Sequence, residues 1–351
     1  MQTFDATRHL RDRFWHPVCH RSELPAEGDY LRFEWLGEDL VVHHDGGRIL
    51  AFDNLCRHRG ARIFGGDVGN AVATCPYHGW TYRAGRLAGG APEPALACGV
   101  QLRELPTAWC ADFLFVAIDP AASLQAQLGG VAPMLEDISF QLAGRHDFNR
   151  AHYECDWQVA VENALEPDHI GFVHPQSLGK LDLQDGDNAF HGINSVWSAP
   201  LGSRSTARRL ASISRFFGAQ GAYQGYLSIY LFPFSMLSST FGLSYSMQNF
   251  FPAAAPGSTH FTSRLYQTAV QPGAPDGVAS TMFNASAAMN RQVFAEDAAV
   301  CRLVPAGTWT SEALPWPTAA EAKVEHFRAS YRAQTAAQSV AQSVAQSVAH
   351  A

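Results

Sequence analysis

Charge is scarce in this sequence. Only 16% of its 351 residues are Asp, Glu, Lys or Arg, and acidic residues outnumber basic ones by 32 to 25. No basic excess exists to meet nucleic acid or an anionic membrane surface, so neither partner is expected. Long apolar runs are missing too. The most apolar stretch, residues 226–237, is interrupted by Pro233 and is too short to cross a bilayer. The opening residues MQTFDATRHLRDRFWHP offer neither a continuous apolar core nor a small-residue cleavage site, so no signal peptide is expected. Cysteine numbers seven. An odd count with no secretory signal suits a reducing compartment, with thiols or metal ligands rather than bridges, and a cytoplasmic location. A G-x-G-x-x-G turn in a strand-turn-helix setting is also missing, so the chain is not expected to draw on NADH unaided. What is plentiful is apolar: 47% of residues are hydrophobic. That is a globular composition, long enough for roughly two domains.

Residues 31–115 read as short strands and turns. One hairpin is predicted across Asp45-Gly46-Gly47, and a second across Ala84-Gly85. The Gly- and Pro-rich run 88–94 reads as a loop. After Asp147 the character changes. Residues 156–166 have helix-forming composition, with Asp156 as N-cap. Residues 227–270 are strand-like, and 279–304 read as a long helix. The expected fold class is α+β: an all-β unit, then an antiparallel sheet covered by helices. Three copies of Ala-Gln-Ser-Val, from Ala337 to Val348, read as a frayed tail.

Two short pieces carry chemistry. Cys56-Arg57-His58-Arg59-Gly60 and Cys75-Pro76-Tyr77-His78-Gly79-Trp80 each offer one thiolate and one imidazole, with sixteen residues between His58 and Cys75. Paired cysteines and histidines hold a [2Fe–2S] cluster with thiolates on one iron and imidazoles on the other. The imidazoles make such a cluster less negative and raise its potential. Gly60 and Gly79 permit tight loops, and Pro76 fixes one backbone angle. Zinc is the competing reading. Zinc fingers, however, group two cysteines before two histidines, whereas the order here is Cys, His, Cys, His.

A second group follows: Glu162, Asn163, Glu166, Asp168, His169 and His174. Glu162, Glu166 and His169 lie at i, i+4 and i+7, which places them on one helical face. His174 sits about 140° further round an ideal helix. Both histidines reach one metal if the helix loosens, and Gly171 permits that. Two histidines and one carboxylate with an open face form the ligand set of non-haem Fe(II) oxygenases. The third ligand must come from elsewhere, and Glu296-Asp297 on the long helix offers two carboxylates. The bland alternative is a solvated helix face bearing ordinary histidines and exposed charge.

The segment from Cys56 to Trp80 resembles the Rieske family, and with the second group the chain resembles the oxygenase α-subunits of Rieske non-haem iron oxygenases. That resemblance implies an N-terminal Rieske domain and a helix-grip-like catalytic domain. The expected bounds are 1–35 for a segment packing on the catalytic domain, 36–135 for the Rieske domain, 136–333 for the catalytic domain and 334–351 for a flexible tail. It implies that Cys56, His58, Cys75 and His78 hold the [2Fe–2S] cluster. His169, His174 and Asp297 would hold Fe(II), with Glu296 as fallback. Glu166 takes the place of a carboxylate, most often aspartate, that links the iron histidine to a cluster histidine of the neighbouring subunit; its partners would be His169 and His78. Asn163 supports the iron site, and Asp168 is a surface residue. A homotrimer, O2, a small organic substrate and a separate reductase or ferredoxin are the implied partners.

The expected function is hydroxylation or oxidative dealkylation of a small aromatic or alicyclic molecule. A monooxygenase of quaternary ammonium compounds is the alternative, since Glu166 resembles relatives with that activity. The competing classes are an electron-transfer Rieske protein, which needs only one domain's length and no second metal group, and a zinc-stabilised binding protein. The aromatics of residues 226–251 either line an apolar pocket or form core. Arg57, Arg59 and Arg62 either dock an acidic donor or are fixed within the Rieske loops.

Overall fold

The computed structural model describes residues 5–218, 223–310 and 321–349. The chain forms two units, one of Asp12–Leu124 and one of Met1–Arg11 with Gln125–Ala351.

Alternating side chains build the smaller unit. It contains β1 (His16–His20), β2 (Asp29–Trp35), β3 (Glu38–Asp45), β4 (Arg48–Asp53), β5 (Val68–Asn70), β6 (Thr81–Arg83), β7 (Arg86–Gly89), β8 (Glu104–Leu105), β9 (Thr107–Cys110) and β10 (Phe113–Val116). On β2 every second residue, Leu31, Phe33 and Trp35, is buried, the two-residue period of a half-covered strand. The sheets run β5-β2-β3-β4-β8 and β1-β10-β9, with β6-β7 as a ribbon. All pairs are antiparallel. Both hairpins fall where the sequence puts them. Gly46 and Gly47 have φ of 66° and 74°, the double left-handed turn that matches strand twist. Ala84 takes φ 45° without being glycine, and its amide donates to Asp45 Oδ2 at 2.7 Å. Residues 12–35 do not join the catalytic unit as expected. Their strands β1 and β2 pair with β10 and β3, because backbone pairing assigns a strand to a sheet more firmly than its place in the chain does.

The larger unit is an antiparallel sheet in the order β11-β17-β16-β15-β14-β13-β12. Its strands are β11 (Leu142–Tyr153), β12 (Asp187–His191), β13 (Asn194–Ala199), β14 (Tyr226–Leu231), β15 (Ser235–Thr240), β16 (Ser244–Pro252) and β17 (Thr259–Thr268). β12 to β17 form a meander, and β11 pairs with β17 on the far side. The helices, numbered from α1 (Ala6–Arg13), are α2 (Glu93–Ala97), α3 (Leu124–Leu128), α4 (Ala132–Gln141), α5 (Trp157–Leu165), α6 (Ile170–Val173), α7 (Arg204–Ser214), α8 (Val278–Cys301) and α9 (Ala322–Ala349). α2 alone lies wholly in the smaller unit. Trp157 of α5 meets Phe234 and, from α9, Phe327, with ring centroids 4.7 and 5.9 Å away. The α+β class is as expected. The Ala-Gln-Ser-Val copies fall within the span of α9, in keeping with the helix preference of alanine and glutamine. Among the described residues no helix is long and apolar enough to cross a membrane.

Candidate metal centres and their cavity

In the smaller unit, two loops repeat one geometry. The Gly60 amide donates to Cys56 O at 2.8 Å, and the Gly79 amide to Cys75 O at 3.0 Å. Gly60 and Gly79 have φ of 71° and 73°, which glycine adopts without steric cost. Cys56 and Cys75 are buried, unpaired thiols, while His58 and His78 are exposed. The two imidazoles lie side by side, with centroids 4.7 Å apart, and His58 stacks on Trp80. Thiolates inside and imidazoles at the tip suit the asymmetric donor set of a Rieske cluster. Arg57 donates to Gln101 O, and Arg62 is paired with Asp39 at 2.6 Å. Two of the three arginines are therefore held by the unit's own structure.

Tyr82 escapes sequence reasoning. It is fully buried, and its hydroxyl lies 3.3 Å from Cys56 Sγ. That oxygen accepts the Arg57 amide at 3.0 Å, so its own hydrogen is free to donate to sulfur. A donor to a cluster thiolate stabilises the more negative, reduced form. Tyr82→Phe is expected to lower the cluster potential by about 60 mV, equivalent to ~1.4 kcal/mol for one electron. Redox titration followed by electron paramagnetic resonance checks this; an unmoved potential removes the role.

In the larger unit, α5 stops at Leu165. Glu166 is extended (φ −99°, ψ 139°) because Pro167 disfavours helix in the residue before it. The single helical face expected for Glu162, Glu166 and His169 is therefore broken. Glu162 points elsewhere: Arg328 grips it with bonds of 2.6 and 2.7 Å, and Trp309 Nε1 donates to it. The loosening comes at this break rather than at Gly171, which lies inside α6. His169 and His174 cap the two ends of that one-turn helix. Asp156 holds the N-cap position of α5, but its carboxylate accepts from the amides of Gly257 and Gly307 and makes no side-chain cap.

These breaks bring His169, His174 and Asp297 together, with one ligand atom from each within 4.8 Å of the others. Glu166 accepts from His169 twice: from the backbone amide at 3.1 Å and from Nδ1 at 2.6 Å. A carboxylate only accepts, so the imidazole hydrogen sits on Nδ1 and Nε2 faces Asp297 at 3.6 Å. His174 repeats the arrangement. Its Nδ1 is 2.7 Å from Glu296, and its Nε2 is 3.0 Å from Asp297 Oδ1. Glu296 is itself fixed by Ser177 and Gln292. Asn163 donates to Asp297 Oδ1 at 2.7 Å. Burial disfavours a charged His169, but Asp297 and Glu166 outweigh burial and push its pKa up to about 9. Burial likewise disfavours charge on Asp297, yet the two histidines hold its pKa below the usual value. Three groups that favour a shared positive charge, with both Nε2 atoms turned inward, fit a divalent cation with one face open.

That cluster opens on a cavity of about 800 Å³. The aromatic-rich stretch contributes less aromatic lining than its composition suggests. β14 to β16 alternate, so Ser228, Ser238, Ser246 and Gln248 face the cavity, while Leu227, Ile229, Leu237 and Met247 are buried and absent from its lining. The apolar lining comes largely from helical segments, including Ile170, Leu210, Ile213, Met282 and Val293.

A two-centre iron protein of the Rieske non-haem type is the class that these arrangements define. Comparison with known proteins agrees. Residues 14–103 match the Rieske [2Fe-2S] domain, and residues 140–337 match the ring hydroxylating alpha subunit (catalytic domain). The carnitine monooxygenase oxygenase subunit of Escherichia coli (strain K12) is 30% identical over 245 residues, covering 64% of this chain and 61% of that protein. The anthranilate 1,2-dioxygenase large subunit of Acinetobacter baylyi is 29% identical over 200 residues, covering 52% and 42%. Among solved structures, a quaternary ammonium Rieske monooxygenase in complex with L-carnitine superposes with a TM-score of 0.71 at 21% identity, covering 95% of this chain and 92% of that one. The chain belongs to the ring-hydroxylating alpha-subunit family. Membership implies a [2Fe–2S] cluster and a mononuclear iron, and the donor sets described above fit both.

Proposed function

We propose that this chain is the cytoplasmic terminal oxygenase component of a system that uses O2 and a separate reductase or ferredoxin to hydroxylate or dealkylate a small organic molecule. The carrying observation is the His169, His174 and Asp297 cluster open to the cavity. When bound, the cluster supplies single electrons and the mononuclear iron supplies O2 chemistry. The protein's own work is orientation. Glu166 and Glu296 each hold one histidine with Nε2 inward, and Asn163 holds Asp297. His174 is fully buried, and the apolar walls keep bulk water from the reacting centre. In the homotrimer we propose, Glu166 also reaches His78 of a neighbouring subunit. Its carboxylate has lone pairs beyond the two His169 uses, and its side chain is 16% exposed.

An aromatic or alicyclic substrate suits the apolar walls. A quaternary ammonium compound is the second reading, favoured by Trp197 and Tyr226, a ring pair 5.7 Å apart on the cavity wall, since such faces attract cations. Reductase-coupled oxygen uptake across aromatic acids, alicyclics and betaines tests the reading. At least one class is expected to stimulate uptake. Fully loaded protein that reduces and reoxidises its cluster, yet shows no substrate-dependent uptake, is an electron carrier instead.

A further inference from the structure

One wall of the cavity holds chemistry that orientation of the iron site does not use. Behind Ser228 on β14 stands Lys323, from the first turn of α9 and 2% exposed. Its Nζ donates to Ser228 Oγ at 3.1 Å, its one hydrogen-bond partner among the described residues. An ammonium has three donors, and burying it without a counter-charge is costly. Among the described residues none of the nearby titratable groups supplies one: not Glu321 or Glu325 beside it, Glu162 on α5, Asp187 and His191 on β12, or Tyr226 and Tyr230 on β14. Burial alone pushes the Lys323 pKa down to about 7. The Ser228 hydroxyl donates to Met236 Sδ at 3.4 Å. A thioether is a weak acceptor, so a stronger one arriving in the cavity displaces it.

We propose that Ser228, backed by Lys323, receives a carboxylate carried by the substrate. The inference rests on the cavity being the substrate chamber of the oxygenase proposed above. The incoming carboxylate accepts from Ser228 Oγ, which turns away from Met236, and lies one hydroxyl from the lysine. An opposite charge at such range favours the charged ammonium. Above pH 7, binding therefore takes up a proton, and affinity rises as pH falls from 8 towards 6. An aromatic acid and a betaine share this carboxylate, so the probes must separate them.

Calorimetric titration of the iron-loaded protein under argon at pH 8 does so, with benzoate against benzamide and glycine betaine against choline. The acid of at least one pair is expected to bind about tenfold tighter than its partner. The pair showing this names the source of the carboxylate. Its heat is expected to vary with buffer ionisation, which reports the proton taken up. Lys323→Met is expected to abolish both the preference and the proton uptake while keeping affinity for the uncharged-end partner. Ser228→Ala, a smaller change, is expected to abolish the preference. Absence of carboxylate binding to the unsubstituted protein, or a preference that survives Lys323→Met, overturns the proposal. Iron counts and cluster spectra of the same samples report separately on the oxygenase reading.

Discussion

Asp297→Ala is expected to strip the mononuclear iron and leave the cluster intact. Iron content falls from roughly three to roughly two per chain, and substrate-dependent oxygen uptake falls to background. The reason is geometric. Asp297 Oδ1 faces Nε2 of both histidines, at 3.0 and 3.6 Å, and is the carboxylate of the set turned towards both. Glu296, one residue earlier, meets His174 from the opposite side, at Nδ1. Its replacement by alanine is expected to weaken iron retention by about 10- to 100-fold rather than abolish it, as for other residues that orient a ligand. Metal analysis and electron paramagnetic resonance of the two variants decide the assignment. If Glu296→Ala removes the iron and Asp297→Ala does not, the ligand is the neighbour.

Glu166→Gln is expected to keep both metal centres and lose most turnover, by about 10- to 100-fold. The amide preserves size and still accepts one hydrogen bond, so His169 keeps its place. What disappears is the negative charge that makes the His169 imidazole more basic, together with the capacity to accept on every side. If Glu166 also meets His78 of a neighbouring subunit, that connection weakens too. Rapid mixing separates the effects: cluster reoxidation in the presence of substrate and O2 slows, while reduction by the reductase is unchanged. Turnover at the unsubstituted rate ends the assignment.

The candidate cluster donors stand out in the sequence because their residue types are rare and their spacing is short. Cysteine and histidine alternating across two glycine-bearing loops leave few alternatives, and the structure repeats one turn around each. The hairpins at Gly46-Gly47 and Ala84-Gly85 were readable for the same local reason. What was not readable depends on partners far away in the chain. Glu162 belongs by spacing to the helical face of His169, yet Arg328, 166 residues on, claims it. The stop after Leu165 had a local signal in Pro167, one that the regular i, i+4, i+7 pattern outweighed. The role of Glu296 follows from which ring nitrogen it meets, and no sequence pattern encodes that. The serine wall was hidden in a stretch whose composition is aromatic. Strand alternation sorts its residues to opposite faces, and only the register shows which face meets the cavity.

The one-turn helix between His169 and His174 has a consequence of its own. Phe172, in its middle, is 89% exposed, so its identity is under little packing constraint. Length is different. One residue added or removed in a helix turns everything beyond it by about 100° and shifts it ~1.5 Å along the axis. His174 would then leave Glu296, Ser177 and Asp297 together. The segment acts as a spacer gauge: tolerant of rewriting at its outer face, intolerant of any change in the number of its residues.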